Sequence, residues 1–219
     1  MSARQLSEMQ RGLYVITDRP AAHGRAHDEV VQAALRGGAA VIQLRDKDCS
    51  PADLIATARR LSRMCHDAGA AFIVNDDAAI AAEAGADGVH LGPFDGGVAE
   101  ARELLGPDAI VGYSAKASVE LAIAAERQGA SYVVAGSIFP TATKSDASVV
   151  GTAPLTAIRA ALSVPVGAIG GIGVERASEV LAAGADLVCV ISAVVGAEDI
   201  EAAARAFVTQ IQAFDRKDR

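Results

Sequence analysis

Tryptophan is absent from this chain, and aromatic residues make up only 4% of its 219 positions. A core built without large rings must be filled by Ala, Val, Ile and Leu, in keeping with an apolar content of 51%. Cysteine is scarce too. Cys49, Cys65 and Cys189 are scattered, odd in number and without metal-type spacing, which fits a reducing compartment rather than a disulfide framework. Positive charge is in deficit: 20 Lys and Arg against 27 Asp and Glu leave a formal net charge of -7. That balance argues against an extended nucleic-acid surface and leaves room only for a local basic pocket. No apolar run approaches the length of a membrane span, and the opening residues, MSARQLSEMQRG, contain no apolar signal core. The expectation is a soluble cytoplasmic protein acting on small molecules, with neither nucleic acid nor membrane as partner. A homo-oligomer is left open.

What the chain does have is a rhythm. Short apolar runs recur at Leu13–Ile16, Val41–Leu44, Phe72–Val74, Gly88–Leu91, Ile110–Tyr113, Tyr132–Ala135, Val166–Ile169 and Leu187–Ile191. Continuous hydrophobicity of this kind suits parallel strands buried on both faces. Ala-rich helical segments lie between them, at Glu29–Arg36, Asp53–Ala68, Ala78–Ala84, Val98–Leu105, Val119–Gln128, Ala153–Ala160, Glu175–Ala183 and Glu198–Phe214. Ser50-Pro51 reads as an N-cap followed by a first-turn proline. Before several strands stands a repeated punctuation: Gly37-Gly38-Ala39-Ala40, Gly69-Ala70-Ala71, Gly85-Ala86-Asp87, Gly129-Ala130-Ser131 and Gly184-Ala185-Asp186. Glycine there fits the left-handed residue that ends a helix. Eight strands alternating with eight helices predict a single-domain α/β fold, a closed (β/α)8 TIM barrel over residues 13–219 behind a polar lead-in, 1–12. An open doubly wound sheet is the alternative.

In such a barrel the chemistry sits at the C-terminal ends of the strands. Those ends here are polar: Thr17-Asp18-Arg19, Arg45-Asp46-Lys47, Asn75-Asp76-Asp77, His90 with Asp95 beyond it, Ser114-Ala115-Lys116, Gly136 to Lys144, Gly170 to Gly173, and Ser192. Gln43, Arg45 and Lys47 alternate, which on a strand places them on one face. Two cations and an amide in an acidic protein suit an anionic ligand such as a phosphate; a solvated strand end with Asp46 and Asp48 as partners is the other reading. Asp76 and Asp95 could hold a magnesium ion against that ligand, since magnesium takes one or two carboxylates together with phosphates and waters. Asp77 reads as a helix N-cap, and His90 reads equally well as a core histidine or a catalytic one. Gly170-Gly171-Ile172-Gly173 with Ser192 offers backbone for a second anion, or two glycines for a tight turn. Between these clusters lies Gly136-Ser137-Ile138-Phe139-Pro140-Thr141-Ala142-Thr143-Lys144.

These motifs together, YVITD (14–18), QLRDK (43–47), NDD (75–77), GADGVHLG (85–92) with Asp95, FPTATK (139–144), AIGGI (168–172) and VISA (190–193), resemble the thiamine-phosphate synthase family. The resemblance implies a transferase that joins a hydroxymethylpyrimidine pyrophosphate to a thiazole phosphate, releasing pyrophosphate. It implies that Gln43, Arg45, Lys47, Asn75 and Lys144 hold the pyrimidine pyrophosphate. Leu44 and Asp46 in the same matching stretch, and Ala142 in the FPTATK stretch, are expected to contact substrate as well. Asp76 and Asp95 match magnesium ligands. Thr141 and Thr143, flanking Ala142, match contacts to the thiazole phosphate, as do Gly171, Ile191 and Ser192. Ser114 matches a serine near the pyrimidine and the leaving group. Among these, Arg45, Lys47, Lys144 and Ser114 are expected to serve the chemical step. The sequence departs from the family at Lys116 and at Pro93. A thiazole tautomerase-like isomerase, a non-catalytic thiazole-phosphate or thiamine-phosphate binding protein, and another phosphate-binding barrel are the competing readings. The small polar stretch 145–151 is expected to be mobile until ligand binds.

Overall fold

In the computed structural model, residues 11–141 and 148–217 are described. Eight parallel strands close into a barrel in sequence order. They are β1 (Gly12–Ile16), β2 (Val41–Leu44), β3 (Ala71–Asn75), β4 (Gly88–Leu91), β5 (Ile110–Lys116), β6 (Tyr132–Ala135), β7 (Val166–Ile169) and β8 (Leu187–Val190). The outer ring holds α1 (His27–Arg36), α2 (Pro51–Asp67), α3 (Ala78–Ala84), α4 (Val98–Leu105), α5 (Val119–Arg127), α6 (Ala153–Ala161), α7 (Ala177–Ala182), the single-turn α8 (Ser192–Val195) and α9 (Ile200–Lys217). The open-sheet alternative is excluded by the pairing of β1 with β8. Two elements depart from the pattern read in the sequence. The predicted helix Glu175–Ala183 splits into a 3-10 turn, Val174–Arg176, and α7. The turn α8, invisible to a periodicity argument at four residues, follows β8 directly.

Burial falls into two layers, as closure requires. Residues such as Leu13, Val15, Ile42, Leu44, Phe72 and Val74 point outward and pack under the helices. Tyr14, Ile16, Ile73, Ile110, Tyr132, Val134 and Cys189 point inward and fill the barrel. Ser50 caps α2, its side chain accepting from Asp53 N–H ahead of a proline at the first turn, as predicted.

The Gly-Ala punctuation does more than end helices. Asp87, just before β4, accepts from Phe72 N–H at the start of β3 (2.7 Å). Asp186, just before β8, accepts from Val166 N–H at the start of β7 (2.9 Å). Ser131, just before β6, accepts from Val111 N–H in β5 (3.1 Å). Each of these side chains also meets a basic residue from the helix entering the doublet: His66 on Asp87, Arg102 on Ser131, Arg159 on Asp186. This wiring is confined to the end of the barrel away from the polar strand ends, and it fixes strand register there.

Candidate active site

Strand β2 ends at Leu44, so only Gln43 of the alternating trio lies on a strand; Arg45 and Lys47 belong to the loop beyond it. Strand alternation therefore sets the direction of Gln43 alone. Gln43 turns inward, is 2% exposed, and donates from Nε2 to the Tyr14 hydroxyl (2.8 Å). Arg45 is held from both ends: its backbone N–H donates to Thr17 Oγ1 (3.1 Å), and its guanidinium pairs with Asp18. Asp18 in turn accepts from Ala21 N–H (2.9 Å). Lys47 is exposed at the mouth.

Two residues expected to contact substrate face elsewhere. Leu44, 1% exposed, packs in the outer core under the helices, because strand alternation puts it opposite Gln43. The Asp46 carboxylate accepts from His27 Nε2 (3.0 Å) and lies 3.9 Å from Arg19. Each of these two residues is thus left its main chain for reaching a ligand. The reading of Asp46 as a partner for the neighbouring cations is corrected in the same way: its partners are His27 and Arg19.

Asn75 ends β3 opposite His90 of β4. Asp76 follows it in a left-handed conformation, φ 69°, with its N–H donating to His90 carbonyl (2.8 Å). Burial, together with the adjacent Asp95 carboxyl, pushes the Asp76 carboxyl up to about 6, while Lys47 and Arg45 pull it the other way. Lys47, Arg45, Asp76 and Asp95 are therefore one electrostatic cluster. Asp95 is tied down by Gly92 N–H (2.8 Å). Two carboxyls brought together beside cations suit a hard divalent ion that would relieve their repulsion, with the remaining positions left to substrate oxygens and water. Among the described residues no group of three or more His, Cys, Asp or Glu adds to this pair, so the donor set fits magnesium and does not resemble a closed structural metal site. Asp77 caps α3 by accepting from Ile80 N–H (2.9 Å).

The other half of the mouth is a cavity of about 870 Å³. It brings together Ser114, Thr141, Gly171, Ile191 and Ser192, five of the residues expected to bind substrate. Its wall is a joint between two loops. Ile138 and Phe139 donate to the carbonyls of Ile169 and Gly170 (2.9 Å each). A Cβ on Gly170 would lie 2.0 Å from Ser137 Oγ, and one on Gly171 2.2 Å from the Pro140 carbonyl oxygen. The glycine pair is thus required for loop contact as well as for turning, with φ 105° and 61°. Val150 and Gly151 return to donate to the carbonyls of Ser137 and Ile138 (2.9 and 3.1 Å). Arg176 stacks on Phe139 (4.5 Å) behind this joint. Ala142, Thr143, Lys144 and the start of the stretch expected to be mobile lie outside the described residues.

Three features escaped the sequence. Inside the barrel a chain of hydrogen bonds runs from Gln43 through Tyr14 and Tyr132 (hydroxyls 2.8 Å apart) to His90 Nδ1 (3.0 Å). It makes His90 a bonded member of the barrel interior. The signal for it was Gly112, opposite Tyr132 in register, since glycine inside a strand marks a close approach. Asp18 as the anchor of Arg45 was visible only as a polar strand end. Glu175 also lines the cavity, its carboxylate folded back over Gly173, whose Cβ would lie 2.4 Å from it.

Residues 13–194 match a family described as thiamine monophosphate synthase. The chain is 47% identical to thiamine-phosphate synthase of Methanoculleus marisnigri over 94% of its length and 98% of the relative's. It is 47% identical to that of Methylococcus capsulatus, over 89% and 87%. The structure of thiamine phosphate pyrophosphorylase from Pyrococcus furiosus superposes with a TM-score of 0.86 at 39% identity, covering 94% of this chain and 98% of that one. A 3-hexulose-6-phosphate synthase, at 20% identity and TM-score 0.69, shares the fold. A match spanning the barrel and relatives of nearly equal length place the chain in the thiamine monophosphate synthase family of transferases.

Proposed function

We propose that the protein condenses 4-amino-2-methyl-5-hydroxymethylpyrimidine pyrophosphate with 4-methyl-5-(2-phosphoethyl)thiazole, giving thiamine phosphate and pyrophosphate. The observation that carries this reading is the division of the mouth. Cations and a carboxylate pair gather at the ends of β2 to β4, and a separate cavity with a glycine-lined wall lies at the ends of β5 to β8. Two anionic substrates need two such places, held in fixed relation.

The step is a dissociative substitution. The bond from the pyrimidine methylene to oxygen breaks, its electron pair leaving with the pyrophosphate. The thiazole nitrogen then gives its lone pair to the methylene cation. Such a reaction needs positive charge at the departing oxygens rather than a nucleophilic side chain. Arg45, aimed by Asp18, and the exposed Lys47 supply it, and Lys144 is the third cation expected there. Magnesium held by Asp76 and Asp95 would add Lewis-acid stabilisation of the leaving group. Ser114 lines the cavity where the two reactants meet. Thr141, Gly171, Ile191 and Ser192 receive the thiazole phosphate.

The test is direct. Purified protein is incubated with both substrates and magnesium, and thiamine phosphate and pyrophosphate are assayed. Folded protein that makes neither product refutes the reading. Lys47→Ala and Asp76→Ala should each lose at least about a hundredfold in turnover while the barrel stays folded, the scale of removing a transition-state charge contact.

A further inference from the structure

The end of β5 is irregular in a way that the reaction above does not use. The register of β5 against β6 shifts between Ser114 and Lys116. Lys116 adopts φ 54°, a left-handed conformation that lysine takes only at a cost. Its carbonyl is pinned by Gly136 N–H (3.0 Å), at the root of the β6 loop. A bulge of this kind beside a site re-aims a side chain. The side chain that is re-aimed lines the cavity, and among the described lining residues Lys116 is the one cation.

Among the described residues no carboxylate pairs with its ammonium. It stands over the ring of Phe94, 5.9 Å from the centroid. Phe94 is 92% exposed and immediately precedes Asp95. The ring therefore holds the charge at the border between the carboxylate pair and the cavity, leaving the ammonium's donors available. A point charge on a flexible stem at that border suits an anion that arrives on one substrate and leaves alone.

We propose that Lys116 is a substrate-contacting residue that binds the pyrophosphate group from the β5 side, opposite Arg45 and Lys47, with Phe94 as its rest. This rests on the proposed reaction for its substrate, but not for its ligand chemistry. Inorganic pyrophosphate serves as the probe. The full-length protein is titrated calorimetrically with pyrophosphate in magnesium buffer, as wild type and as Lys116→Met, Lys116→Arg and Lys116→Gly. The Met and Gly variants should bind about tenfold more weakly, and Arg within about threefold of wild type, as loss and retention of one charge-assisted contact predict. Thiazole phosphate affinity should not change. Glycine accepts φ 54° without strain, so Lys116→Gly should melt no lower than wild type while still binding weakly. In turnover, KM for the pyrimidine substrate should rise about tenfold and KM for the thiazole should hold. Pyrophosphate binding unchanged in Lys116→Met overturns the assignment. So does equal weakening in the Met and Arg variants, or a loss shared by thiazole phosphate. Wild type that binds pyrophosphate through Lys116 but forms no thiamine phosphate would refute the reaction and leave the Lys116 site standing. Folded wild type that fails to bind pyrophosphate refutes both.

Discussion

Gly112 and Tyr132 face each other across β5 and β6 so closely that a Cβ on Gly112 would lie 2.1 Å from Tyr132 Cζ. The ring fills the barrel interior because the residue opposite has no side chain. Tyr132 is fully buried, and burial holds its hydroxyl well above the usual phenol range, so the group stays neutral and acts as a link between Tyr14 and His90. Gly112→Ala should cost about 2–3 kcal/mol in a denaturant melt, as overpacking does. It should also lower activity by disturbing Gln43 through the chain of hydroxyls. A stability unchanged in Gly112→Ala would contradict this packing.

Asp76 sets a pH dependence. Its carboxyl sits at about 6 in the folded protein against 3.8 as a free side chain. Between those values the folded state holds more protons than the unfolded one, so stability falls as pH rises through about 4 to 6. The residue is only partly buried, and solvent screens part of the repulsion. Asp76→Asn should therefore gain about 2–4 °C in Tm over wild type between pH 4 and pH 7.5, the shift of about 1 kcal/mol in a chain this size. Asn also favours the left-handed backbone found there. That contribution is the same at every pH, so the change with pH is the quantity to read. Magnesium at pH 7.5 should raise the wild-type Tm and leave the variant unmoved.

Gly171→Ala would drive a methyl against the Pro140 carbonyl at φ 61°. The two loops that wall the cavity cannot both keep their places. KM for the thiazole phosphate should rise about tenfold or more, since small displacements of a positioning wall are costly. KM for the pyrimidine substrate should change less. Steady-state kinetics with each substrate varied in turn decides between this and a uniform loss.

Glu175 lies in the cavity with its carboxylate folded over Gly173. A phosphate settling at the glycine wall meets a like charge. Glu175→Gln should lower KM for the thiazole phosphate about threefold, with the gain shrinking at high salt. A higher KM in Glu175→Gln would show instead that the carboxylate helps to hold the substrate.

Asp18→Asn tests the anchor of Arg45. The guanidinium pairs with Asp18, which fixes its direction at the expense of some of its charge. The variant should bind pyrophosphate no more weakly, yet lose about tenfold in kcat, because aim matters more than attraction for a charge that acts on the leaving group. Equal losses in affinity and kcat would make Asp18 a plain structural partner.

The barrel was legible because its signals are local and repeated. Apolar runs mark strands, Gly-Ala marks the joints, and eight units leave few alternatives to closure. The polar strand ends were legible for the same reason: their position in the fold gives them meaning. What the sequence concealed depends on where a side chain turns. Leu44 and Gln43 are neighbours in one motif, and alternation sends one to the outer core and the other to the axis. Arg45 and Asp46 continue that motif beyond the strand, where periodicity no longer applies, and their partners Asp18 and His27 are distant in sequence. Tyr14 and Tyr132 are separated by 118 residues, and only closure of the barrel brings their hydroxyls together. The bulge at Lys116 carries no compositional mark at all.

The caps at Asp87, Ser131 and Asp186 bear on how the ring comes apart. Each belongs to an even-numbered strand and satisfies the odd-numbered strand before it, so β3 with β4, β5 with β6, and β7 with β8 are sealed as doublets. At the corresponding place before β2 stands Ala40, whose methyl can seal nothing. A truncation that respects the doublets removes a strand together with its cap, whereas one that splits a doublet strands a donor at a raw edge. The barrel is thus built of doublets, with β1 and β2 the pair that lacks such a cap and is joined inside the barrel by Gln43 and Tyr14 instead. In a solenoid, repeats can be trimmed one by one with additive loss; here the natural unit of loss is two, and amide exchange should reach β1 and β2 first.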